Sequence, residues 1–259
     1  MKVIRILYRF AANSLQQTLA NIPVFIIFLV AKILRYGLFL VFLFLLVRGV
    51  AQIGGYTTQQ MLMFYLVFNL IDTSAQLLFR EVYRFRPLVV SGEFDLVLTK
   101  PLHPLIRSLL GGPDFIDSGM LLILLAVMGY FIFFVIHPQF TSLLLFGLLS
   151  INALAIAAAF HIFVLGIGVI TLSVDHLIMI YRDVTSLVRI PADLYIEPLR
   201  TLITFVIPVG IMFSFPAKVL FGLLSWQLIL ISLVFGIAGL ILSIKFWNYS
   251  LKHYQSAGS

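Results

Sequence analysis

The run VFIIFLVAKILRYGLFLVFLFLLV, from Val24 to Val47, is broken by charge only at Lys32 and Arg35. A helix rises about 1.5 Å per residue, so about 20 apolar residues cross the roughly 30 Å of a bilayer's hydrocarbon. Comparable runs occupy Met61 to Phe79, Ser118 to Ile136, Ser142 to Leu172 and Trp226 to Trp247. Composition agrees, with 62% hydrophobic residues, 10% charged residues and a mean hydropathy of +1.13. Such values are incompatible with an ordinary soluble surface. No segment alternates apolar and polar residues in the way of a membrane barrel. The fold class is therefore an all-α polytopic membrane protein, a single transmembrane domain over 1–259.

A sixth crossing lies between Val174 and Leu224, where Pro191, Pro198, Pro208 and Pro216 interrupt the pattern. Two placements compete. Either Val174 to Ile190 crosses despite Asp175, Arg182, Asp183 and Arg189, and the proline-broken segment 191–224 re-enters the outer leaflet, or Leu199 to Leu224 crosses. Both give six spans with the termini on one side. Ahead of them, residues 1–22 place Ile4, Leu7, Ala11 and Leu15 at helical spacing opposite Arg5, Arg9, Asn13 and Gln16, as in a helix lying in the headgroup region.

Lys and Arg in short loops are retained in the cytosol. They gather at Lys2, Arg5 and Arg9, at Arg80, Arg84, Arg86, Lys100 and Arg107, and at Lys245 and Lys252. The turns around Arg48 to Gln60 and His137-Pro138 carry almost none. The expected location is a bacterial plasma membrane, with both termini and the segment 80–117 in the cytosol. The net charge of +7 is this topogenic bias, so no nucleic-acid partner is expected. The chain has no cysteine, which excludes thiolate chemistry and disulfides.

No phosphate-cradling Gly-x-x-x-x-Gly-Lys-Ser/Thr loop, metalloprotease His-Glu-x-x-His or hydrolase Gly-x-Ser-x-Gly occurs. No catalytic or metal-ligating residues are assigned. His103, His137, His161, His176 and His253 are scattered, and Asp114 and Asp117 read as N-cap candidates for the third span.

The segment between the second and third spans carries the recognisable pattern. Tyr83-Arg84-Phe85 is followed by Ser91-Gly92-Glu93-Phe94-Asp95-Leu96-Val97-Leu98-Thr99-Lys100-Pro101-Leu102-His103-Pro104-Leu105. This run resembles the permease subunits of type-2 ATP-binding-cassette exporters, with Lys100 where Arg is commoner. Gly55-Tyr56-Thr57 and the Pro191 to Ala217 region resemble the same family more weakly. The resemblance implies six spans, a second permease in a homodimer or heterodimer, and separate cytosolic ATPases that hold the ATP and magnesium. No cofactor falls on this chain itself. It also implies that 80–117 forms a coupling segment docked on the ATPase. The residues of that segment suit such docking. Gly92 permits a tight turn, Glu93 and Asp95 meet basic groups, Phe94, Leu96 and Leu98 offer apolar anchors, and Lys100-Pro101 begins a stiffened exit. The implied substrate is a hydrophobic, amphipathic or lipid-linked molecule or a drug-like cation, moved outward.

Within the second span Asn69, Asp72, Thr73 and Gln76 share one helical face. Lys32 and Arg35 reach a similar depth on the first span, and a pair with Asp72 is the expected resolution. The alternative to the exporter permease is a secondary transporter driven by an ion gradient, with Asp72 titrating. An intramembrane enzyme is a third reading. Five alanines, Ala153, Ala155, Ala157, Ala158 and Ala159, give the fourth span a small-residue packing face.

Overall fold

The computed structural model describes residues 2–48, 52–171 and 174–255. Leu172, the last residue of the fourth apolar run, lies outside the described residues. Twelve α-helices are present among those described. They are α1 (Lys2–Ala20), α2 (Ile22–Arg48), α3 (Thr58–Phe79), α4 (Phe85–Val90), α5 (Glu93–Leu98), α6 (Pro104–Leu110), α7 (Ile116–Phe131), α8 (Phe140–Thr171), α9 (Asp175–Leu187), α10 (Leu199–Thr201), α11 (Val209–Leu220) and α12 (Trp226–Lys252). Among the described residues five helices are long and apolar enough to span a bilayer, and a sixth candidate is the bent pair Leu199–Val206 and Val209–Leu220, whose halves meet at 90°. The chain is an all-α polytopic membrane protein, as its apolar runs require.

Local chemistry sets the helix ends. Thr57 and Gln60 form a reciprocal capping box at the start of α3. His103 accepts the amide of Leu105 ahead of Pro104 at the first turn of α6. The third span runs from α7 through a π-helical turn, Ile132–Ile136, and stops at His137, whose φ of 49° leaves the helical region.

α8 is the central post, packed along α12 and α11, while α3 touches α7 and α11 and α2 lies outside α3 and α7. Close approach of α8 and α12 rests on Asn152, whose amide donates to the Ser232 carbonyl at 2.9 Å and its hydroxyl at 3.0 Å. A Cβ at Gly236 would fall 2.0 Å from Asn152 Oδ1, so any larger residue there would displace the amide that bonds Ser232. Ala153, Ala157 and Ala159 are buried on α8.

Ion pairs locate the contested region. Asp175, at the start of α9, meets Arg86 just past the end of α3, whereas Asp193 accepts from Tyr56 just before α3 begins. The chain therefore travels from one end of α3 to the other between residues 175 and 193. Arg200 and Lys218 both contact Asp193, at 3.3 and 2.5 Å. The bent pair thus has both outer limbs at the Tyr56 end and its Ile207-Pro208 corner within the bundle, against α8 and α12 across an apolar cleft of about 640 Å³.

Candidate functional site

The polar segment after α3 is folded. A 3₁₀ turn, Arg80–Arg84, leads into α4, and α5 and α6 follow. Glu81 binds Arg107 on α6 and lies 3.5 Å from Arg84, while Arg80 meets Asp114 ahead of α7 at 3.3 Å. α1 closes over this platform: Arg107 lies 5.3 Å above the Phe10 ring, and the Ser14 hydroxyl donates to the Pro113 carbonyl. Ile4 and Leu15, from the apolar stripe of α1, are left exposed.

Gly92 joins α4 to α5 with φ +77°. No neighbour would crowd a Cβ there, so the left-handed backbone alone calls for glycine. Glu93, Lys100 and the turn before Pro101 are exposed, and Asp95 is half-buried. The anchors divide differently from the sequence expectation. Phe94 is 0% exposed, its ring edge-on to Phe85 and Tyr254 at 5.2 Å each and 6.3 Å from Trp247. It holds α5 to α4 and α12 and is not presented outward. Leu96 (61% exposed) and Leu98 (37%) are the outward apolar groups. The Tyr254 phenol is pushed up to about 12, first by burial and then by the Asp95 carboxylate beside it. A cavity of about 270 Å³ opens next to α5 between Arg84, Leu88, Ser91, Glu93 and Ser108.

Inside the bundle the expected pair is replaced by another. Lys32 binds Asp117 at the start of α7, not Asp72. Asp72 instead accepts from Gln76 at 2.7 Å, and no cation lies within ion-pair distance of it among the described residues; Arg35, Lys32 and Arg182 act on it from further away. Asn69 donates to the Tyr65 carbonyl and Thr73 meets the Tyr36 hydroxyl. Depth along α2 and α3 is similar, as the residue count requires, but the long Lys32 stem turns back toward α7. Asp114 accepts the Ile116 amide and so caps the helix start. Asp117 is more than the cap its position suggests, and a carboxylate at the edge of an apolar span is the sequence signal for a buried partner. His161 is a satisfied core residue, bonded to the Ala157 carbonyl at 2.7 Å.

At the other end, Asp193 gathers Tyr56, Lys218 and Arg200. Burial alone would raise its pKa, but hydrogen bonds from Lys218 and Tyr56 and the two cationic charges outweigh it and hold the carboxyl below its usual range. Tyr56 lies in the Gly55-Tyr56-Thr57 stretch; Asp193 itself carries no sequence signal.

A family model described as ABC-2 family transporter protein matches residues 33–258, nearly the whole chain. No curated protein matches, and no solved structure does.

Proposed function

The chain belongs to the ABC-2 family of transporter proteins and is a membrane transport component, and from that premise we propose that it is the permease subunit of an ATP-driven exporter. It pairs with a second permease and is driven by separate cytosolic ATPases, which hold the ATP and magnesium. The observation that carries this reading is the rigid presentation of α5. A six-residue helix, fixed from inside by Phe94, offers Leu96 and Leu98 outward beside a side-chain-sized cavity. Apolar anchors with a firm backing are what dominate interface energy. Force on α5 reaches the spans through Phe94–Trp247 on α12 and Arg86–Asp175 on α9. In this reading α9 is the fifth crossing, the bent pair re-enters from the outer face, and closure of the ATPases shifts the path from inward to outward access.

Leu96→Ala with Leu98→Ala is expected to lose recovery of the ATPase on a tagged permease while thermal stability stays at the wild-type level. Normal recovery and normal ATP hydrolysis in that variant would overturn the docking assignment.

The basic end belongs in the cytosol of a bacterial cell, because the loops there carry the Lys and Arg. The chain has no cysteine, so an introduced thiol reports alone. A cysteine at exposed Ile196 should react with an impermeant maleimide added to intact cells, and one at exposed Lys100 should react only after lysis. The reverse pattern rejects the orientation.

A further inference from the structure

Three guanidinium groups lie beside the α2–α3 pair, Arg35 on α2, Arg182 on α9 and Arg189 just after α9. Arg35 lies 13 residues beyond Ile22, about 20 Å along α2. Arg182 is within α9, and Arg189 lies in the turn just after that helix ends at Leu187. Arg35 and Arg182 both act on Asp72, and Arg35 and Arg189 both act on Tyr65. The Arg189 guanidinium sits 6.0 Å from the ring centres of both Phe39 and Phe68, well inside the apolar length of those helices.

The charges do not balance locally. Lys32 is already neutralised by Asp117. Among the described residues no carboxylate is within ion-pair distance of Arg35, Arg182 or Arg189, and Asp72 lies in the field of Arg35 and Arg182. Asp183 follows Arg182 directly, so it points about 100° further round α9. Arg35 and Arg182 are exposed on the single chain. A guanidinium exposed to lipid is costly, and such groups face a path or a partner charge.

We propose that this face receives the anionic headgroup of an amphiphilic substrate, with Arg35, Arg182 and Arg189 as its phosphate- or carboxylate-binding groups. The proposal rests on the permease reading and names the substrate class of that path. A guanidinium fork matches two oxygens of a phosphate or carboxylate, and an ammonium lacks that geometry. A cationic substrate would add positive charge to a face already in excess. The acyl portion has apolar surface at hand, since Leu38, Val41 and Phe42 of α2 are exposed.

The test is binding to the full permease chain in phosphatidylcholine nanodiscs, without any ATPase. Failure here therefore leaves the ATPase docking of Leu96 and Leu98 standing or falling by its own experiment. The probes are dodecyl phosphate, dodecyltrimethylammonium and inorganic phosphate. Dodecyl phosphate is expected to bind about tenfold or more tighter than dodecyltrimethylammonium, the gain of one charge-assisted contact, and tighter than inorganic phosphate, which lacks the apolar chain. Arg182→Gln with Arg189→Gln should abolish that preference at unchanged elution volume, and Arg182→Lys with Arg189→Lys should retain part of it. Equal affinity for the anionic and cationic detergents in the wild type overturns the proposal, whatever the variants do. So does equally tight inorganic phosphate, which would make the ligand a free anion. A Gln variant that separates permease dimers while keeping dodecyl phosphate affinity also overturns it, because the arginines would then serve a second copy of the chain.

Discussion

Phe94→Ala is expected to destabilise the permease by about 3 to 5 kcal/mol, the usual cost of removing a fully buried aromatic side chain. The ring is 0% exposed and makes edge contacts with Phe85 and Tyr254. Aromatic pairs of this kind add about 0.5 to 1.5 kcal/mol each beyond their buried area. The loss falls on the attachment of α5 to α4 and α12, so docking to the ATPase should fail as a consequence of a loosened helix. Thermal unfolding of the purified chain, read beside ATPase recovery, separates the two effects. Leu96→Ala should change stability by less than about 0.5 kcal/mol, as surface substitutions do, and still weaken recovery. A Phe94→Ala chain as stable as the wild type, yet unable to hold the ATPase, would show that Phe94 meets the partner directly.

The contrast between Phe94 and Leu96 also marks where the sequence stops being readable. The spans are legible because an apolar run of about 20 residues has few alternatives to crossing a bilayer, and the order of turn formers around Gly92 carries the family resemblance. Inside α5 the pattern is ambiguous. Phe94, Leu96, Val97 and Leu98 are apolar on all sides of a helix too short to show a period. The buried pair, Phe94 and Val97, does have the i, i+3 spacing of one face, but six residues give that spacing little weight over its rivals. Position across the membrane is similarly legible for Lys32, Asp72 and the basic loops, whereas direction around a helix is not. Residue counting gives depth, and neighbouring helices decide which acid a lysine finds. The charges of this region obscure its course for a related reason: Arg189 looks hostile to lipid until Phe39 of α2 and Phe68 of α3 are seen beside its guanidinium.

Asp117→Asn is expected to cost about 3 to 5 kcal/mol, because it leaves the Lys32 ammonium inside the bundle without its counter-charge. The side chains are 19% and 4% exposed for Lys32 and Asp117, so water replaces little of what the carboxylate supplied. Lys32→Met removes the cation and should be milder alone than Asp117→Asn, since a carboxyl at the start of α7 retains helix N-terminal amides nearby. The double variant should recover part of the Asp117→Asn loss, with a coupling of about 1 to 3 kcal/mol expected for groups in direct contact. Asp72→Asn is the internal control. Its bond to Gln76 survives as an amide–amide contact, and no cation is left stranded at ion-pair distance, so the loss should be well below that of Asp117→Asn and insensitive to Lys32→Met. Thermal unfolding of these single and double variants supplies the cycle. Coupling of Lys32 to Asp72, together with additive behaviour of Lys32 and Asp117, would restore the pairing expected from depth alone and would place the end of α7 elsewhere. Coupling to Asp117 leaves Asp72 without a cation of its own. It also leaves Asp72 in the field of Arg35 and Arg182, where a loss of transport at unchanged stability would mark it as part of the path.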